Sequence, residues 1–250
     1  MKKNIIKMLN LVVATALVLG TFVGCASKKD AGIVMGTNAE FEPFEYREGD
    51  EIVGFDVEIA KLFAQKKGTE LRIEDMAFDT LTLAVESGKI DFIAAGMSVT
   101  EERKTQVDFS DPYFTSKQMI VINSDNTEIS SNEDLVGKKI GVQLGTTGDI
   151  YASGIENAEI VAYDKGTMAI LDLKNKKVDA VIIDAEPAKR FVVGQSDIKV
   201  LDTPFVEEEY AIAVKKGNAE LLKDINAFLK EIKENGEYDE IYSKFFSETN

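Results

Sequence analysis

Gly54–Gly68 reads GFDVEIAKLFAQKKG. Phe55, Ile59, Leu62 and Phe63 recur at helical spacing and fall on one face, and the closing glycine suits a left-handed helix stop. Beyond it, Leu71–Ile73 reads as a strand; before it, Ile33–Gly36 is a short apolar run and a first strand. Strands spaced by a single helix predict a βαβ unit. The pattern continues outward. Phe78–Gly88 predicts a second helix with Leu81, Ala84 and Val85 inward, and Asp91–Met97 a buried strand. Similar units follow: Ile140–Val142 and a helix from about Thr147, Ile160–Ala162 and Met168–Leu173, then Ala180–Ile183 and Glu186–Val193. Ala219–Ile232 and Tyr238–Phe246 predict a helical end. The expectation is an α/β protein with mostly parallel sheets. Two copies of this layout fit the length better than one sheet. Met119–Asn123 and Tyr210–Val214 flank the middle third as candidate crossovers, so a ligand cleft would lie between two lobes.

Composition narrows the chemistry. The 250 residues include 29 basic and 44 acidic side chains, a net charge of −15, which speaks against nucleic acid as a partner. Histidine and tryptophan are absent. That excludes Ser-His-Asp and Cys-His catalysis and any zinc site built on imidazole. With one cysteine, no intrachain disulfide can form. No cofactor or metal is expected.

The N-terminus reads as an address. Lys2, Lys3 and Lys7 precede an apolar stretch, Leu11–Leu19, and then small residues up to Cys25. This is the layout of a secretory signal peptide, and the apolar run falls short of the roughly 20 residues that span a bilayer. The run FVGC, Phe22–Cys25, resembles a bacterial lipobox, with phenylalanine in the slot where leucine is usual. The resemblance implies lipidation at Cys25. Removing residues 1–24 takes away three lysines and no acid, moving the net charge to −18. Residues 25–30 then read as a lipidated tether.

Seven runs occur in order along the rest: GTNAEFEPFEY (Gly36–Tyr46), GFDVEIAKLFAQKKG, AAGMSVTEERK (Ala94–Lys104), DFSDPYF (Asp108–Phe114), GVQLGTTGD (Gly141–Asp149), VDAVIIDAEPA (Val178–Ala188) and NGEYDEIYSKFF (Asn235–Phe246). Together they resemble the polar amino-acid-binding proteins of ABC importers, the extracellular solute-binding family 3. The resemblance implies a two-lobed periplasmic-binding-protein-like fold of type II. Residues 31–112 and 211–250 would form one lobe and residues 118–205 the other, with hinges at 113–117 and 206–210. It also implies a polar L-amino acid as ligand, an ABC permease and its ATPase as partners, and a monomer. The place of work would be the outer face of the cytoplasmic membrane, reached through the lipid anchor alone.

A free amino acid presents a carboxylate, an ammonium and a side chain. In the family's pattern, Arg103 takes the carboxylate, for which a planar guanidinium fork is suited. Free N–H groups at Thr146 and Thr147, at a helix start, point to the same group. Asp184 takes the ammonium, with the Gly96 carbonyl and the Ser98 hydroxyl beside it. Phe41 and Phe78 match positions that sandwich the ligand side chain. Asn38 stands where many members carry aspartate, and Ala95 where some carry serine.

Each assignment has an ordinary alternative. Arg103 lies among Glu101, Glu102 and Lys104, as a surface arginine would. Asp184 before Ala185, Glu186 and Pro187 fits a helix N-cap, and Ser98 with Glu101 fits a capping box. Gly145–Thr147 fits a capped turn, and Phe78 a core residue. A few relatives of the fold are dehydratases of prephenate or arogenate, which need a general acid in the cleft; Glu40 and Asp79 are the carboxylates to consider. The matched runs contain no second arginine for an acidic side chain. Basic and uncharged polar ligands are therefore favoured: lysine, arginine, histidine, glutamine and cystine.

Overall fold

A computed structural model describes residues 32–246. The expected signal peptide, Cys25 and the expected tether lie outside the described residues.

The strands in the first half are β1 (Ile33–Thr37), β2 (Glu40–Phe41), β3 (Glu45–Glu48), β4 (Glu51–Val53), β5 (Leu71–Asp75), β6 (Phe92–Ile93) and β7 (Val107–Phe109). In the second half come β8 (Phe114–Asn123), β9 (Lys139–Gln143), β10 (Glu159–Tyr163), β11 (Ala180–Asp184), β12 (Ile198–Val200), β13 (Val206–Tyr210) and β14 (Ala213–Lys215). They build two main sheets. One has the order β5-β1-β6-β14-β7; the other runs β10-β9-β11-β8-β12, with β13 also on β8. A small antiparallel sheet, β2-β3-β4, accompanies the first.

The expected helix after Gly54 is Phe55–Lys67, and Gly68 ends it at φ 67°, with its N–H donating to the Gln65 carbonyl. Phe55, Ile59 and Phe63 are buried, and Leu62 packs at the rim of the same core. The second helix, Leu81–Ser87, is preceded by a 3-10 turn at Phe78–Thr80, and Leu81, Ala84 and Val85 are its buried residues. The final helices, Ala219–Asn235 and Glu237–Phe246, return to the first sheet: Ile225, Phe228, Leu229, Ile232 and Ile241 share a core with Ile33, Met35 and Phe55. Separate cores around Ile120, Ile140 and Ile182, and around Val121, Leu173 and Val181, line the two faces of the second sheet. Burial of this kind contributes about 25 cal/mol per Å² of apolar surface.

Three expectations need correction. The sheets are mixed rather than mostly parallel. β5-β1-β6 and β10-β9-β11 are parallel, while β14, β7, β8, β12 and β13 join antiparallel. The chain enters β8 and β14 from the other sheet, and these two strands alone run opposite to the rest of their sheets. The buried run Asp91–Met97 yields only two strand residues, because after Ile93 the backbone leaves the sheet. Tyr210–Val214 is not one strand: Tyr210 ends β13 and Ala213 begins β14.

The parallel strands matter most for the site. The segments after Thr37, Ile93 and Gln143, and Asp184 itself, stand at the carboxyl ends of β1, β6, β9 and β11. Open α/β sheets bind ligands at these ends.

Candidate functional site

These four strand ends converge on one cleft. Its walls hold Asn38, Phe41, Phe78, Ala95, Gly96, Ser98, Arg103, Thr146, Thr147 and Asp184, together with Glu45 and Gln143. All ten residues singled out in the sequence are thus brought together.

Arg103 is 7% exposed, which is not the exposure of a surface arginine. Thr100 caps its short helix by accepting from the Arg103 N–H. The guanidinium crosses the cleft: Nη1 donates to the Ser98 carbonyl at 2.7 Å and Nη2 to the Gly145 carbonyl at 2.9 Å. Its carbon lies 5.3 Å from the centre of the Phe78 ring. Burial lowers its pKa, and Glu208 and Asp184 pull in the other direction. Two of five donors are used, leaving others for an anion.

Asp184 occupies the N-cap position of helix Ala185–Val192, yet its side chain makes no capping bond. The carboxylate turns instead to the Tyr210 hydroxyl and to Ser116. Burial, followed by the nearby Glu208, pushes its pKa up to about 7. Among the described residues it has no cationic partner within ion-pair distance, an expensive state for a buried carboxylate. Ser98 likewise does not cap the helix at Glu101; its hydroxyl donates to Glu208 at 2.9 Å. Thr146 does cap its helix, accepting from the Asp149 N–H, and the turn is also a cleft wall.

Phe41 is half-buried and stacks on Phe44, with ring centres 5.6 Å apart. Gly96, at φ 53°, lets the backbone pass beneath it: an added Cβ would stand 2.6 Å from Phe41 Cε1. Asn38 accepts from Gln143 Nε2 at 2.9 Å and donates to the Met76 carbonyl at 3.0 Å, joining β1's end to β9's. Glu40 is held by Lys165 at the mouth, and Asp79 is exposed. Neither carboxylate lines the cleft, so neither is placed to serve as a general acid there.

Sequence reasoning missed Glu45 and Gln143. Gln143 ends a parallel strand, and the strand-end rule alone would have found it. Glu45 is fully buried, and burial, with Asp56 next, raises its pKa well above the usual value. Asp56 is pushed to about 6 by burial while the Tyr113 hydroxyl and the Gly96 N–H donate to it.

The family model of bacterial extracellular solute-binding proteins, family 3, matches residues 33–248. The arginine-binding extracellular protein ArtP of Bacillus subtilis is 40% identical over 223 residues, 86% of each chain. A probable histidine-binding protein of Campylobacter jejuni is 34% identical, covering 84% of this chain and 83% of its own. The crystal structure of the P235GK mutant of ArgBP from T. maritima superposes with a TM-score of 0.83 at 45% identity, covering 86% of this chain and 95% of that one. With cleft, fold and relatives in agreement, the chain belongs to the bacterial extracellular solute-binding proteins, family 3.

Proposed function

We propose that this chain captures a basic or uncharged polar L-amino acid, arginine first, outside the cytoplasmic membrane and delivers it to an ABC permease and its ATPase. The observation that carries the reading is the unpaired charge couple in the cleft. Arg103, on the short helix Glu101–Lys104 between β6 and β7, and Asp184, at the end of β11, are both buried and are not bonded to each other. A zwitterion complements them: its carboxylate meets Arg103 and the N–H of Thr147, the Thr146 N–H being taken by the Gln143 carbonyl at 3.3 Å, and its ammonium meets Asp184, Ser98 and the Gly96 carbonyl. Phe41 and Phe78 then flank the side chain, with Asn38 and Gln143 as polar contacts. Arg103 is the one cationic group on the walls among the described residues. An acidic side chain would therefore lack a partner.

Capture proceeds by closure of the two lobes about hinges at 113–117 and 206–210, and the closed form is what the permease reads. Lipidation at Cys25 holds the monomer at the outer face of the membrane. A panel of the twenty amino acids and cystine, added to protein stripped of bound ligand, tests the assignment. A ligand at a hundred times its Kd adds about 2.7 kcal/mol, and each kcal/mol moves Tm by roughly 2–4 °C at this size. The true ligand should raise Tm by about 5–10 °C and acidic amino acids by almost nothing. A panel without any stabilising amino acid removes the assignment.

A further inference from the structure

Behind the cleft wall, one carboxylate oxygen collects three donors. Glu208 Oε2 accepts from Ser98 Oγ at 2.9 Å, Thr147 Oγ1 at 2.9 Å and Gln118 Nε2 at 3.0 Å. All four residues are buried. They come from separate segments: Ser98 follows β6, Gln118 lies in β8, Thr147 opens the helix after β9, and Glu208 is central in β13. Glu207 and Glu209, its neighbours in the acidic run, are exposed, so the strand's alternation turns Glu208 alone inward.

A hydroxyl carries one proton. Once Ser98 and Thr147 give theirs to Glu208, each can only accept from whatever enters the cleft. Gln118 Nε2 also donates to Thr147 Oγ1 at 3.2 Å, occupying part of that oxygen's accepting capacity. Ser98 Oγ keeps accepting capacity, and Ser98 lines the same cleft as Asp184. The geometry points to Glu208 as a positioning residue that fixes Ser98 and Thr147 as acceptors, and so orients a zwitterionic ligand with its ammonium towards Ser98 and its carboxylate towards Arg103. Thr147 then serves the carboxylate through its backbone N–H and not through its hydroxyl. Glu208 itself does not line the cleft and acts through the two hydroxyls. This inference rests on the reading of the cleft as an amino-acid site.

A double-mutant cycle with L-arginine as probe tests it, by calorimetry on the wild type, Ser98→Ala, Glu208→Gln and the double variant. Each single change should weaken binding by about tenfold or more, as expected for hydrogen bonds to charged groups. The double variant should lie within about twofold of Glu208→Gln, because Ser98 has lost its fixed polarity there already. Losses that multiply, or an unchanged Glu208→Gln, overturn the assignment. Competition with 5-guanidinopentanoate, which is arginine without its α-ammonium, separates positioning from general damage. Glu208→Gln should weaken L-arginine strongly and the analogue by less than about twofold; equal loss of both also overturns it. If Glu208→Gln does not fold, Ser98→Ala carries the same two-ligand comparison, with the same outcomes. If the panel selects another amino acid, that one and its deamino form replace the two probes. Wild-type protein silent to every amino acid sinks the function itself, whereas a binding wild type with an unaffected Glu208→Gln sinks only the role of Glu208.

Discussion

Burial without a cationic partner pushes the Asp184 carboxyl up to about 7, so an α-ammonium can pair with it only after its proton has left. Affinity should then fall by about tenfold for each pH unit below 7, with nearly one proton released on binding at pH 6. In unliganded protein the sign is opposite. A folded pKa above the unfolded one contributes stability at low pH that is lost as pH rises through about 7. Tm measured with and without ligand from pH 5 to 8 should therefore diverge as pH rises. Asp184→Asn should weaken binding and flatten its pH dependence across this range; a persisting slope would move the titration to another group. At this scale the sequence was readable where a run carried the residue, as for Arg103 and Asp184. Glu208 was not, since a run of three acids reads as a solvated face until strand alternation is known to bury its middle member. Glu45 was hidden for a related reason: only tertiary contact brings it to Asp56 and onto the wall.

The turn between β9 and its helix shows how an element makes the site. Gly145 sits at φ 75°, and an added Cβ would stand 2.9 Å from Asp79 Cβ, where this turn approaches the start of the helix region at Phe78. Gly145→Ala should affect two quantities. The left-handed backbone costs about 1–2 kcal/mol whether or not ligand is bound, lowering Tm by roughly 2–8 °C. The contact with Asp79 opposes only the close approach, so affinity should drop as well. A lower Tm with unchanged affinity would show that this approach plays no part in capture. Helices and long strands were legible because their apolar periodicity is set locally. The short β2-β3-β4 sheet was not, since two to four residues such as Glu40–Phe41 carry too little pattern. Asp91–Met97 misled for a physical reason: its second half is apolar because Ala94, Ala95 and Met97 pack into the cores, not because it continues a strand.

For the whole molecule, side chains join the regions around the two sheets: Gln143 with Asn38, Arg103 with Gly145, and Lys165 with Glu40. Ligand should accordingly shrink the radius of gyration in solution scattering; stabilisation without compaction would keep the site and remove the hinge mechanism. Cys25 lies outside the described residues, and its role is tested separately. Metabolic fatty-acid labelling should be lost in Cys25→Ala, and retained label would remove the lipid anchor from the account.

If Arg103 supplies the buried charge for the ligand carboxylate, a calorimetric titration of Arg103→Ala against wild type, both stripped of bound ligand, reads its loss. A buried carboxylate without its charged partner typically costs about 3–5 kcal/mol, or two to four decades in Kd. A loss of that size is expected for the amino acid that most stabilises the wild type, with the variant still folding cooperatively. Near-native affinity in a folded Arg103→Ala protein would contradict it.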